Sequence, residues 1–203
     1  MIMNKGLIGF SLVALLAAGS VQAADAEAGK AKAAMCVACH GADGNSVNPI
    51  WPNLAGQNAK YIAKQLAEFK SGTRQDPTMM GMVAALTDED MVNIAAFYAS
   101  QTPKGGEAAA DKVAMGEMIY RGGNEAKGLA ACTACHGPAG SGIETSGFPA
   151  VSGQHATYVE KQLKDFAAGT RANDPNRMMR DIAAKMTADE MAAVAQYMQG
   201  LKN

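Results

Sequence analysis

Cys36-Val37-Ala38-Cys39-His40 and Cys132-Thr133-Ala134-Cys135-His136 are two copies of one pentapeptide, Cys-x-x-Cys-His, and they use all four cysteines and two of the three histidines of this 203-residue chain. Two thiols three positions apart on a helical turn can add across the two vinyl groups at one edge of a porphyrin, and the imidazole that follows then lies under the iron as a proximal ligand. The spacing reads as two sites for covalent c-type haem. Cys36, Cys39, Cys132 and Cys135 are the attachment points, and His40 and His136 the iron ligands. A zinc site built from two Cys-x-x-Cys pairs, or a pair of short-loop disulfides, would use the same cysteines. Neither accounts for a histidine directly after both pairs.

Outward from the motifs the chain repeats itself. Trp51-Pro52-Asn53-Leu54-Ala55-Gly56-Gln57 matches Phe148-Pro149-Ala150-Val151-Ser152-Gly153-Gln154, 97 positions on. Tyr61, Lys64-Gln65-Leu66, Phe69 and Gly72-Thr73-Arg74 recur at the same offset as Tyr158, Lys161-Gln162-Leu163, Phe166 and Gly169-Thr170-Arg171. The cysteines recur at an offset of 96, and Ala84, Thr87 and Met91 recur at 100 as Ala184, Thr187 and Met191. Offsets that drift by single residues mark loop insertions within one duplicated unit. The chain therefore divides into two units of one kind.

The amino terminus bears on compartment. Lys5 precedes the apolar run Gly6 to Ala18, and Val21-Gln22-Ala23 closes it with small residues where a signal peptidase reads. Residues 1–23 are expected to be a signal peptide cleaved after Ala23, giving an exported, periplasmic protein. A retained anchor would need about 20 apolar residues to span a bilayer, and this run is shorter. Beyond it, residues 24–100 form the first expected domain, 101–107 a linker marked by Pro103 and Gly105-Gly106, and 108–203 the second domain. Each is small enough that side chains alone make a marginal core.

The expected architecture is all-α. Ile62, Leu66 and Phe69, and their counterparts Val159, Leu163 and Phe166, have the four-then-three spacing of one helix face. The last helix of each half opens on a capping-box pattern, Thr87 with Asp90 and Thr187 with Glu190. Met91, Ile94 and Tyr98, then Met191, Val194 and Met198, continue as core stripes.

The sixth iron ligand must come from the 14 methionines. A loop before the terminal helix can fold over the distal haem face, which leaves Met79, Met80 and Met82 in the first half and Met178 and Met179 in the second. Counting back from Thr87 and Thr187 pairs Met79 with Met179, eight residues before each threonine. A one-residue slide in a Pro-containing loop would instead pair Met80 with Met179 or Met79 with Met178. His155 is the leftover histidine, and its counterpart is Asn58. It reads as a solvated residue at a helix start.

The two Cys-x-x-Cys-His units, the Trp/Phe-Pro-x-Leu/Val-x-Gly-Gln segments, Lys-Gln-Leu, and a methionine before a capped terminal helix resemble the cytochrome c4 family, the tandem di-haem class I cytochromes c. The resemblance covers nearly all of the chain after the leader. It implies two class I cytochrome c domains, each wrapped round one haem, with the haems facing one another near a pseudo-twofold interface. It implies that the carbonyls of Pro52 and Pro149 accept hydrogen bonds from His40 and His136. Gly29 and Gly116 look like the small residues where first and last helices cross. Tyr120 fills the aromatic position that follows in this fold, but Ala33 stands there in the first half and leaves that helix contact open.

A haem held by His and Met has no vacant position, so it passes electrons and does not readily bind oxygen, peroxide or substrate. The expectation is an electron carrier, not an enzyme. The resemblance points to a respiratory chain, between a quinol-cytochrome c reductase and a haem–copper terminal oxidase. Peripheral membrane association is left open, and a monomer is expected. Two rivals use the same motifs: the electron-accepting subunit of a larger oxidoreductase, and a di-haem enzyme such as a peroxidase or sulfur-compound dehydrogenase. Without Lys5 the chain has 17 basic and 19 acidic residues, spread so that each half is near minus one. No basic block suggests nucleic acid, and neither half carries a charge that dictates a docking face.

Overall fold

Asp25 begins the first helix by accepting the amide hydrogens of Glu27 and Ala28, which have no partner of their own in a first turn. The computed structural model describes residues 24–202. The expected signal peptide, residues 1–23, lies outside the described residues.

Helix α1, Ala26–Lys32, runs through a tight turn at Ala33–Cys36 into α2, Val37–His40. The first Cys-x-x-Cys-His thus lies on continuous helical backbone, ended by Gly41 at φ 80°. Helix α3 spans Ala59–Ser71, α4 Pro77–Val83 and α5 Asp88–Ala99. The second half repeats this order as α6, Ala110–Gly122, α7, Thr133–His136, α8, Ala156–Ala168, α9, Met178–Ala183, and α10, Ala188–Gly200. Only isolated bridges, Asn124 to Leu129 and Ile143 to Phe148, interrupt the helical pattern among the described residues. No helix among them is long and apolar enough to cross a membrane.

The halves have separate cores. Ile62, Leu66 and Phe69 of α3 meet Met91, Ile94 and Tyr98 of α5, while Val159, Leu163 and Phe166 of α8 meet Met191, Val194 and Met198 of α10. Both terminal helices carry a complete capping box, Thr87 with Asp90 and Thr187 with Glu190. First and last helices cross at glycine because nothing larger fits. A Cβ on Gly29 would lie 1.9 Å from Asn93 O, and one on Gly116 2.3 Å from Ala193 O.

The contact left open at Ala33 is made another way. Ala33 is buried, and the aromatic ring on the first half's core comes from Tyr98 of α5, where the second half has Met198. Both tyrosines stand beside the equivalent cysteine, Tyr98 beside Cys36 and Tyr120 beside Cys132. The aromatic residue has exchanged helices and kept its neighbourhood.

Two expectations are corrected. The methionine segments are short helices, not loops. Asp76 caps α4 on Met79 N, with Pro77 in the first turn where its missing N–H costs nothing. Before α9 the backbone passes through Asn176 and Arg177 at φ 51° and 61°, and Asp174 accepts from both Arg180 N and Nε. Nor is His155 solvated at a free helix start: its Nε2 donates across to Ser46 O of the first half at 2.9 Å. Asn58, its counterpart, donates to Phe148 O at 2.8 Å, so both positions serve the contact between halves.

The segment joining the halves is pinned at each end. Asn45 bonds both Thr102 O and Lys104 N, and Lys104 pairs with Asp43 at 2.8 Å. Gly106 N donates to Gln199 O, and Gln199 Nε2 donates to Glu107 O.

Candidate haem sites and the interface between them

In each half the helical turn of the motif places both thiols at its edge and turns the histidine inward. His40 and His136 are 6% and 8% exposed, whereas the four cysteines are half-buried. His40 Nδ1 donates to Pro52 O and His136 Nδ1 to Pro149 O, each at 2.9 Å. A carbonyl can only accept, so the proton is on Nδ1 and the lone pair on Nε2. Burial lowers the proton affinity of both rings, partly offset by the carbonyl. Burial also raises the Cys36 thiol, and takes Cys132 up to about 11. The set is therefore two thiols at one edge and one imidazole with Nε2 as its unprotonated nitrogen. That set fits two thioether bonds and one iron ligand.

The methionines separate by packing. Met79 rests on the same core cluster as Cys36, and Met179 on the same cluster as Cys132. Met80 and Met178 are 37% and 38% exposed and belong to neither cluster.

Between the halves runs a two-fold pattern of hydrogen bonds. Arg74 reaches Tyr158 and Gln162, and its counterpart Arg171 reaches Tyr61 and Gln65. Each guanidinium also lies over a ring of its own half, 4.6 Å from Phe69 and 4.4 Å from Phe166. Burial alone would push the Tyr61 phenol up, but Arg171 and Arg74 bring it below its ordinary value. Nearer the histidines, Gln57 bonds the backbone of Ala150 through both amide atoms, and Gln154 does the same to Asn53. The space left there is a cavity of about 10 Å³ lined by these residues and Pro103, room for no more than one water. One asymmetry stands out: Asn173 donates to Gln65 and Glu68 and receives Lys64 on its carbonyl, and no matching contact is made from the first half among the described residues.

The cytochrome c family profile matches residues 26–102 and again 122–202. Cytochrome c4 of Pseudomonas aeruginosa is 50% identical over 98% of this chain and 100% of its own length. The chain belongs to the cytochrome c4 family. The crystal structure of reduced recombinant cytochrome c4 from Pseudomonas stutzeri superposes with a TM-score of 0.86, at 44% identity, covering 88% of this chain and 100% of that one. A protein of Stutzerimonas stutzeri named thiosulfate dehydrogenase electron acceptor is 42% identical over 92% of this chain and 90% of its own. As a cytochrome c4, the protein carries two covalent c-type haems, at Cys36 and Cys39 and at Cys132 and Cys135, and transfers electrons.

In this cytochrome c4 the residues joining the halves had been visible only as repeats. Tyr61, Gln65 and Arg74 recur with their neighbours, but a repeated polar residue does not announce which partner it meets. The signal that could have found them is a polar residue kept in both halves on a helix whose opposite face is core.

Proposed function

We propose that this cytochrome c4 is an exported electron carrier with two closed haem sites, His40 and Met79 serving the first iron and His136 and Met179 the second. The observation that carries the reading is that Met79 and Met179, partly buried, pack against the same cores as Cys36 and Cys132, while Met80 and Met178 are exposed. When bound, each haem supplies a one-electron iron couple. Pro52 and Pro149 hold each imidazole with Nε2 as its free nitrogen. Met79 and Met179 would hold the iron through a thioether, which would favour the reduced state and leave no position for substrate, so the site would exchange electrons. On that ground the protein is a carrier and not an enzyme, with domains at 24–100 and 108–203 joined by 101–107, acting as a monomer after removal of residues 1–23.

Its route runs from a quinol-oxidising cytochrome complex to a haem–copper terminal oxidase in the periplasm, with or without peripheral contact with the membrane. A second reading, the electron acceptor of a catalytic partner, is favoured by the relative named for thiosulfate dehydrogenase. Absorbance spectra test the ligands: the wild type should show two haems per chain and a near-infrared methionine-to-iron band. That band should halve in Met79→Ala or Met179→Ala and vanish in the double variant. A band of full strength in the double variant would overturn the assignment. Reduction rates with purified quinol-cytochrome c reductase and with thiosulfate dehydrogenase distinguish the two routes.

A further inference from the structure

The peptide group between Pro52 and Asn53 is engaged on both sides. Its carbonyl accepts from His40 Nδ1 at 2.9 Å, and its N–H donates to Oε1 of Gln154, from the other half, at 2.8 Å. The peptide between Pro149 and Ala150 repeats the arrangement: its carbonyl accepts from His136 Nδ1 at 2.9 Å and its N–H donates to Oε1 of Gln57 at 2.8 Å. The two glutamine amides have one orientation available. Each Oε1 also accepts from the next backbone N–H, His155 for Gln154 and Asn58 for Gln57, and each Nε2 donates to a carbonyl, Asn53 O or Ala150 O. His40, Gln57, His136 and Gln154 are all 6–8% exposed, so no bulk water competes.

We propose that Gln154 and Gln57 are cross-domain positioning residues: each polarises the peptide that holds the other half's proximal imidazole, so that each domain tunes its neighbour's haem ligand. The proposal rests on the reading of His40 and His136 as iron ligands. Drawing a peptide N–H toward an acceptor shifts charge onto the oxygen of the same peptide through amide resonance. The carbonyl then accepts more strongly from Nδ1–H, and Nε2 becomes a better electron donor. Hydrogen bonds in series strengthen one another where the dielectric is low, and partners behind a metal-bound histidine raise its basicity. A more basic imidazole favours the oxidised iron and lowers its potential. The consequence is crossed. Gln154, in the second half, governs the first haem, and Gln57, in the first half, governs the second.

The test uses the di-haem protein labelled with ¹⁵N only at its three histidines. Stepping the potential while following the paramagnetically shifted His40 and His136 signals gives each haem its own midpoint. In Gln154→Ala the first midpoint should rise and the His40 Nδ1–H signal move, with the second midpoint unchanged; Gln57→Ala should do the reverse. Gln154→Glu keeps an acceptor for the Asn53 N–H and should hold the His40 proton signal in its hydrogen-bonded range. Arg171→Lys loosens the same interface away from both peptides and should leave both Nδ1–H signals in place. Midpoints that do not move, move together, or move in the substituted half alone would overturn the relay. Absence of paramagnetic shifts at His40 and His136 in the wild type would instead overturn the ligand reading beneath it.

Discussion

Tyr98 and Tyr120 show how far a single side chain departs from its repeat. Both rings are fully buried, and burial pushes both phenols well above the ordinary value. Tyr120 donates to Gly137 O at 2.6 Å, whereas the Tyr98 hydroxyl meets no such oxygen acceptor among the described residues and has only the Cys36 sulfur, a weak partner, beside it. A net hydrogen bond contributes about 1 kcal/mol, and a buried group left unpaired costs roughly 1–3 kcal/mol. Tyr120→Phe should therefore destabilise the protein by about 1 kcal/mol, while Tyr98→Phe should be neutral or stabilising. Denaturant unfolding of the di-haem protein checks this, and equal losses in the two variants would contradict it. Sequence reading located Tyr120 and the exception at Ala33, but not the compensation by Tyr98. That compensation depends on which helix faces which, and neither local pattern contains it.

At the scale of elements, the terminal helices tie pH to stability. The Thr87 amide and the Lys32 ammonium hold the Asp90 carboxyl at about 2, below its ordinary 3.8. Lys127, and then the Thr187 amide, hold Glu190 at about 2 against an ordinary 4.5. The ion pairs Lys32 to Asp90 at 3.0 Å and Lys127 to Glu190 at 2.8 Å link the start of each half to its last helix. Both carboxyls are depressed in the fold, so their contribution is complete above pH 4.5 and is lost as pH falls toward 2. Thermal melts should decline across that window, and the decline should be smaller in the double variant Asp90→Asn, Glu190→Gln. A variant with the wild-type slope would show that other carboxylates control acid stability. The capping boxes were legible because Thr and an acid three residues on satisfy the helix's own amides. The short helices under Met79 and Met179 were not, since they depend on Asp76 and Asp174 meeting specific backbone groups.

For the molecule as a whole, the interface is two halves of one repeat turned to face each other. Arg74 and Arg171 are its symmetric anchors, each bonding a tyrosine and a glutamine of the opposite half while covering its own phenylalanine. Removing both removes four cross-domain bonds, leaves Tyr61, Tyr158 and Gln162 to find water, and leaves Gln65 with Asn173 and Glu68. The double variant Arg74→Ala, Arg171→Ala should melt in two calorimetric transitions where the wild type melts in one, and should be cut faster by protease between residues 101 and 107. A single unshifted transition would mean that the linker and the glutamine contacts suffice to join the halves.

The sequence alone determined the chemistry and the units: thiols, imidazoles and their spacing are covalent facts of the chain, and a duplicated pattern of core and caps is readable because helix periodicity and capping are local. Only the tertiary structure decided what lies between the units. Gln57, Gln154, Arg74, Arg171 and His155 are ordinary polar residues until the halves meet, and their partners are 84 to 110 positions away. The energy of such contacts depends on pairing two surfaces with water excluded, and no stretch of sequence contains both surfaces.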